Sequence, residues 1–214
     1  MSASKKTEVK EVKKTATKTT AKATATKATA KTADKAARTK MEIRLTGSGG
    51  QGVILATIIL AEAGVEAGKY VAQSQAYGPE ARGGSCKAEV IIDEKPIGFT
   101  KVEKPTFFMA LTQKALDQYA PGLSKHCIVL LDSSLETPEC LLANKVYKAP
   151  ILESAIKEVG KAMTANIVAV GAINAILNLV SDEDLHTAVM SHVPKGTEEL
   201  NEKALKVGMK LIKK

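Results

Sequence analysis

Reactive side chains are scarce in this 214-residue sequence, which holds three cysteines and three histidines. Cys86, Cys127 and Cys140 are odd in number and far apart. They give no C-x-x-C, no zinc spacing and no iron–sulfur pattern, so no metal ligand is expected in this chain. Each reads as a small buried hydrophobe. His126, His186 and His192 form neither a triad nor a metal set. There is no G-x-S-x-G and no Walker lysine. With no catalytic residue to name, the chain reads as a subunit rather than a self-sufficient enzyme. No secretory h-region follows the start, which points to a cytoplasmic protein. Thr164 to Val180 carries no charge, yet Asn166, Asn174 and Asn178 interrupt it. It reads as a buried core or interface helix, not a membrane span.

Charge is present but unevenly placed. Residues 1–40 are nearly all Lys, Thr and Ala, and carry eleven lysines and Arg38 against Glu8, Glu11 and Asp34. That gives +9, while residues 41–214 carry −1, within a formal net charge of +8. A segment so poor in apolar residues cannot offset its ordering entropy, so 1–40 is expected to be a disordered tail and 41–214 the folded domain. The tail could lie on nucleic acid as a polycation, act as a targeting sequence, or be simply solvated, the reading favoured here. Nucleic-acid binding is not inferred for the domain.

The most informative stretch is Thr46-Gly47-Ser48-Gly49-Gly50-Gln51-Gly52. Before it, Met41 to Leu45 alternates like a half-buried strand. After it, Val53 to Ala63 places Ile54, Ile58 and Ala61 on one helical face, with Val65 a turn further. A glycine turn from strand into helix offers backbone N–H groups and the positive end of a helix dipole to phosphate or carboxylate. Gly47, Gly49 and Gly52 satisfy G-x-G-x-x-G, a weak pattern alone. A dinucleotide site would want an acid at the tip of the second strand, where Tyr77-Gly78-Pro79 has none. On spacing, a phosphate site and a tight packing turn weigh equally, and NAD ranks below both.

Strand and helix signals then alternate, predicting an α/β fold: a mainly parallel, Rossmann-like three-layer sheet with a helical C-terminal third. Gly64 and Gly68 are expected to end the first helix. Strands are expected over Tyr70–Ala76, Cys86–Ile92, Thr106–Leu111 and His126–Leu131, with a short helix at Thr112–Tyr119. Glu153 and Lys157 sit at i, i+4 of one helix. Ser181 and Asp184 suit a cap, and a last helix starts near Thr197. The loop Tyr77–Ser85 supplies Arg82, a planar permanent cation, with Gly83 and Gly84 allowing close approach. In a doubly wound sheet this loop and Gly47–Gly52 should gather at the carboxyl edge of the strands. Arg82 there either meets an anion or pairs within the protein.

Gly47-Ser48-Gly49-Gly50-Gln51-Gly52-Val53, followed by Ser74-Gln75-Ala76-Tyr77-Gly78-Pro79-Glu80-Ala81-Arg82-Gly83-Gly84, resembles the gamma subunit of 2-oxoacid:ferredoxin oxidoreductases. Asn166 heading a helix through Val170-Gly171-Ala172 fits the same family, and the likeness runs from about Met41 to the C-terminus. The resemblance implies a multi-subunit enzyme that decarboxylates a 2-oxoacid on thiamine diphosphate and yields acyl-CoA, CO2 and reduced ferredoxin. Thiamine diphosphate, Mg and iron–sulfur clusters would belong to partner alpha, beta and delta or ferredoxin-like subunits. Coenzyme A would lie at this subunit, against Gly47, Gly49, Gly50, Gln51, Gly52, Arg82 and Gly83. The form of the second motif is closer to the 2-oxoglutarate branch than to the pyruvate branch. The rival class is a non-catalytic Rossmann-like nucleotide-binding module tethered to nucleic acid by its tail. That module would be a monomer binding nucleotide alone, whereas the subunit would co-purify with larger chains.

Overall fold

The computed structural model describes residues 40–77 and 84–212. Six strands form one sheet: β1 (Met41–Ser48), β2 (Tyr70–Tyr77), β3 (Ser85–Asp93), β4 (Phe107–Ala110), β5 (Ile128–Asp132) and β6 (Lys145–Ala149), in the order β2-β3-β1-β4-β5-β6. The pairs β1–β4, β4–β5 and β5–β6 are parallel. The pairs β1–β3 and β2–β3 are antiparallel, so the sheet is mixed where a parallel neighbour of β1 was expected. The cause is chain length. The connection from β2 to β3 is far shorter than the dozen or more residues a parallel crossover needs.

Alternation sends the two sides of each strand into different cores. Ile43 and Leu45 of β1, with Ala88, Val90 and Ile92 of β3, join the larger core. Phe107 and Met109 face that same side, whereas Phe108, Ala110, Val129 and Leu131 face a smaller core under α2 (Gln113–Tyr119). This two-sided burial explains the unbroken apolar runs of β4 and β5. On the α2 side, Arg44 stands opposite Glu89 in the register and donates to it at 2.7 Å, and Lys87 lies 3.2 Å from the same carboxylate.

The larger core is roofed by helices. α1 (Val53–Glu66) buries Val53, Ala56, Ile59, Leu60 and Ala63. Ile54, Ile58 and Ala61 are only half-buried and Val65 is 59% exposed, so the stripe expected from sequence is not the buried one. α1 is apolar nearly all round, which leaves periodicity without a face to choose. Gly64 does not end this helix. A Cβ there would stand 2.9 Å from Val71, and the turn comes at Gly68 with φ +71°.

Helix α3 (Ile151–Ser154) runs into a π turn over Ala155–Val159, across which the Glu153–Lys157 ion pair still forms. α4 (Ala165–Leu177) is buried from Ala165 to Asn174, and among the described residues no helix is long and apolar enough to cross a membrane. α5 (Asp182–His192) is capped by Ser181, whose hydroxyl accepts from the Asp184 N–H at 3.1 Å. α6 (Glu198–Leu211) crosses α4 so closely that a Cβ on Gly208 would lie 2.0 Å from the Val168 carbonyl oxygen.

Candidate functional site

Strand β1 is the point where the sheet changes direction, with antiparallel β3 on one side and parallel β4 on the other. Its carboxyl end opens into the glycine loop, at the edge where open α/β sheets bind ligands. The antiparallel hairpin brings its own connection to this edge, since Ser48 pairs with Ser85 and Tyr77 with Cys86. The Gly49 N–H donates to the Gly84 carbonyl at 3.2 Å. The glycine loop and the end of the second motif are therefore tied together, by a hairpin rather than by two parallel strands. Arg82 and Gly83 lie outside the described residues.

Within the loop the work is divided. The Gln51 side-chain oxygen accepts from the Ser48 N–H at 2.8 Å, and the Gln51 N–H donates to the Ser48 carbonyl at 3.2 Å. A Cβ on Gly47 would fall 2.6 Å from that Gln51 oxygen. Gly47, Gly49 and Gln51 thus close a tight turn with one another and with Gly84. Gly50 (φ +96°) and Gly52 (φ +71°) take left-handed backbone at the start of α1. Nothing lies within 4 Å of where a Gly50 Cβ would be, and Gly52 is the N-cap of α1 with no side-chain cap over that helix's first turn. The tight-turn reading from sequence holds for Gly47, Gly49 and Gln51.

Gly50 and Gly52 border a cavity of about 280 Å³ running between α1, the N-terminus of α4 and α6. Leu55, Ile167, Val193 and Leu200 make it largely apolar, with Lys161 and Met163 also lining it. Asn166 is packed against Gly52, where a Cβ would meet its amide nitrogen at 2.7 Å. Only Asn166 of this set stood out in the sequence. Leu55 directly follows the glycine loop, whereas the remainder lies more than a hundred residues further along, with no local pattern linking them.

Other polar groups near the edge are explained by the fold. Asp132, at the end of β5, accepts from the N–H groups of Ser134 and Leu152 and from the Ser134 hydroxyl. Ser85 is an exception, its hydroxyl buried beside the loop without a partner among the described residues. Burial raises the Cys86 thiol pKa and pushes Cys127 up to about 12, so neither is a ready nucleophile. Glu62, Ser191 and His192 do cluster between α1 and α5, an arrangement that the sequence did not reveal. The Ser191 hydroxyl has three acceptors within reach, the Glu62 carboxylate at 2.8 Å, the Ala188 carbonyl at 2.9 Å and the His192 Nδ1 at 3.0 Å, so its one proton is shared among them rather than committed to the imidazole. Among the described residues no three His, Cys, Asp or Glu side chains gather to hold a metal.

Residues 42–211 match the family described as pyruvate ferredoxin/flavodoxin oxidoreductase. The chain belongs to that family. It is 41% identical over 182 residues to a 2-oxoglutarate synthase subunit, KorC, of Methanocaldococcus jannaschii, covering 84% of this chain and 97% of the relative. Among solved structures, the gamma subunit of a keto/oxoacid ferredoxin oxidoreductase from Geobacter sulfurreducens superposes with a TM-score of 0.71 at 40% identity, over 80% of this chain and 95% of that one. A 2-oxoglutarate:ferredoxin oxidoreductase from Magnetococcus marinus, solved with 2-oxoglutarate, coenzyme A and succinyl-CoA, gives a TM-score of 0.75 over 81% of this chain and 31% of that one. At 22% identity it shows a shared fold. The expected standing as a gamma-type oxidoreductase subunit, and the α/β fold, are borne out.

Proposed function

We propose that this chain is the gamma subunit of a complex that oxidatively decarboxylates 2-oxoglutarate to an acyl-CoA, CO2 and reduced ferredoxin, and that it forms part of the coenzyme A site. The observation that carries the reading is the tie between the glycine loop and Gly84. It sets the flank of the Arg82 segment beside the uncapped N-terminus of α1. An anion there meets a helix dipole and free backbone, with a guanidinium two residues before Gly84 in the sequence. Coenzyme A carries a pyrophosphate and a further phosphate, which is the chemistry such an edge accepts.

Thiamine diphosphate, Mg and iron–sulfur clusters would be held by partner subunits, where they would supply charge stabilisation for decarboxylation and electron transfer to ferredoxin. This chain contributes position. Gly50 and Gly52 let a phosphate approach the helix end, and Gln51 holds the turn that presents them. Arg82 and Gly83 would close on the same anion. Fixing the thiol-bearing coenzyme in this way converts an encounter into an oriented reaction. The similarity to subunits named for 2-oxoglutarate favours that acid over pyruvate.

Native mass spectrometry of the protein from its source, with cofactor analysis of the same particle, tests this. The expected result is a complex with larger chains containing thiamine diphosphate and iron–sulfur clusters. Turnover of a 2-oxoacid by this chain alone would overturn it.

A further inference from the structure

Asn166 is 5% exposed, yet its side-chain amide makes no hydrogen bond among the described residues. The other buried asparagines are committed. Asn174 accepts from the Leu179 and Val180 N–H groups and donates to the Val180 carbonyl, and Asn201 donates to the Thr197 carbonyl and hydroxyl. The amide reaches solvent only through the cavity, so its donor and acceptor are free for a ligand bound there. This amide lines the cavity at its glycine-loop end, beside the uncapped first turn of the 14-residue α1.

The surroundings narrow the ligand's chemistry. Leu55, Ile167 and Leu200 supply apolar walls, and Met163, 85% exposed, stands at the rim as an apolar side chain with nothing to cover. Lys161 adds a cation to the same lining. A cavity of about 280 Å³ falls just below the usual range of ligand pockets, roughly 300 to 1,000 Å³. It suits a nucleoside rather than a whole coenzyme. An amide offering donor and acceptor side by side complements the N6 and N7 edge of adenine, whereas guanine presents two acceptors there. A thioether also makes favourable contact with an aromatic ring.

We propose that this cavity binds an adenosine phosphate: the base between the apolar walls with its edge on the Asn166 amide, the phosphate at the N-terminus of α1 near Lys161, and Met163 folding over the ring. Two sources share that chemistry, the adenosine end of coenzyme A and a free adenine nucleotide. The assignment rests on the coenzyme reading above only for the choice between them.

The test uses the purified complex with the full-length chain, as wild type, Asn166→Leu, Met163→Ala and Arg82→Ala, each checked for an unchanged melting temperature. Adenosine 3′,5′-bisphosphate and 4′-phosphopantetheine serve as separate inhibitors against coenzyme A. Asn166→Leu is expected to raise the inhibition constant of the adenosine compound, and the KM for coenzyme A, about tenfold or more while leaving phosphopantetheine unaffected. Met163→Ala, an exposed position safe for folding, is expected to raise the first about two- to tenfold. If neither variant moves the adenosine compound while Arg82→Ala still raises the KM for coenzyme A, the adenine subsite is refuted and the coenzyme reading stands. If Arg82→Ala leaves that KM unchanged, but ADP binding to the full chain by calorimetry is lost in Asn166→Leu, the cavity serves a free nucleotide and the coenzyme reading falls. No binding of either adenine compound overturns the inference.

Discussion

At Gly52 two constraints meet on one atom. Its φ of +71° places the backbone in the left-handed region, and the space where a Cβ would go is filled by the Asn166 amide at 2.7 Å. Gly50 shares the first constraint, at φ +96°, but has open space around it. Left-handed backbone costs an L-residue about 1–2 kcal/mol. Gly52→Ala is therefore expected to lose about 2–3 kcal/mol of stability by denaturant titration, and Gly50→Ala only about 1 kcal/mol. Equal losses would mean that Asn166 yields freely. The cysteines offer a second residue-level test. Cys86 and Cys127 are buried and Cys140 is exposed, so one thiol of the isolated folded chain should react quickly with an aromatic disulfide at pH 8. Because Cys127 has its pKa raised from 9.0 to about 12, its contribution to stability is present below pH 9. It declines as pH climbs from there toward 12, since the unfolded chain then ionises first. Rapid reaction of two or three thiols would contradict this picture.

Elements were legible where a local rule applied. The cap at Ser181 and the two-sided strands β4 and β5 could be read from neighbouring residues. β6 could not, because Lys145-Val146-Tyr147-Lys148-Ala149 is a short edge strand with two lysines. The buried face of α1 was misread because that helix offers apolar residues on every side. The hairpin of β2 and β3 had a usable signal, the brevity of its connection, outweighed by the expectation of a parallel sheet. The candidate site divides in the same way. Its glycine loop is a contiguous motif, while Lys161, Met163 and Leu200 reach the cavity only through tertiary packing. The crossing of α4 and α6 is the element-level feature most open to test. A Cβ at Gly208 would lie 2.0 Å from the backbone oxygen of Val168, and one at Gly171 would lie 2.5 Å from that of Leu205. Backbone cannot step aside as a side chain can, so Gly208→Ala should force the helices apart. The expected loss is about 3 kcal/mol, read as a lowered melting temperature. An unchanged melting temperature would show that the helices can slide.

On the scale of the whole molecule, the sheet brings the glycine loop and the end of the second motif to one edge. The parallel strands aim their carboxyl ends there, and the β2–β3 hairpin adds the flanks of the Arg82 segment. The expected contact between this edge and coenzyme A is best tested in the assembled complex carrying Arg82→Ala. The apparent Michaelis constant for coenzyme A is measured beside the decarboxylation of 2-oxoglutarate without coenzyme A. Loss of a charged hydrogen bond is worth about 1.5–3 kcal/mol, so the constant should rise about tenfold or more, with the coenzyme-independent step held within about twofold. An unchanged constant with both steps slowed alike would contradict the account and make Arg82 a structural residue.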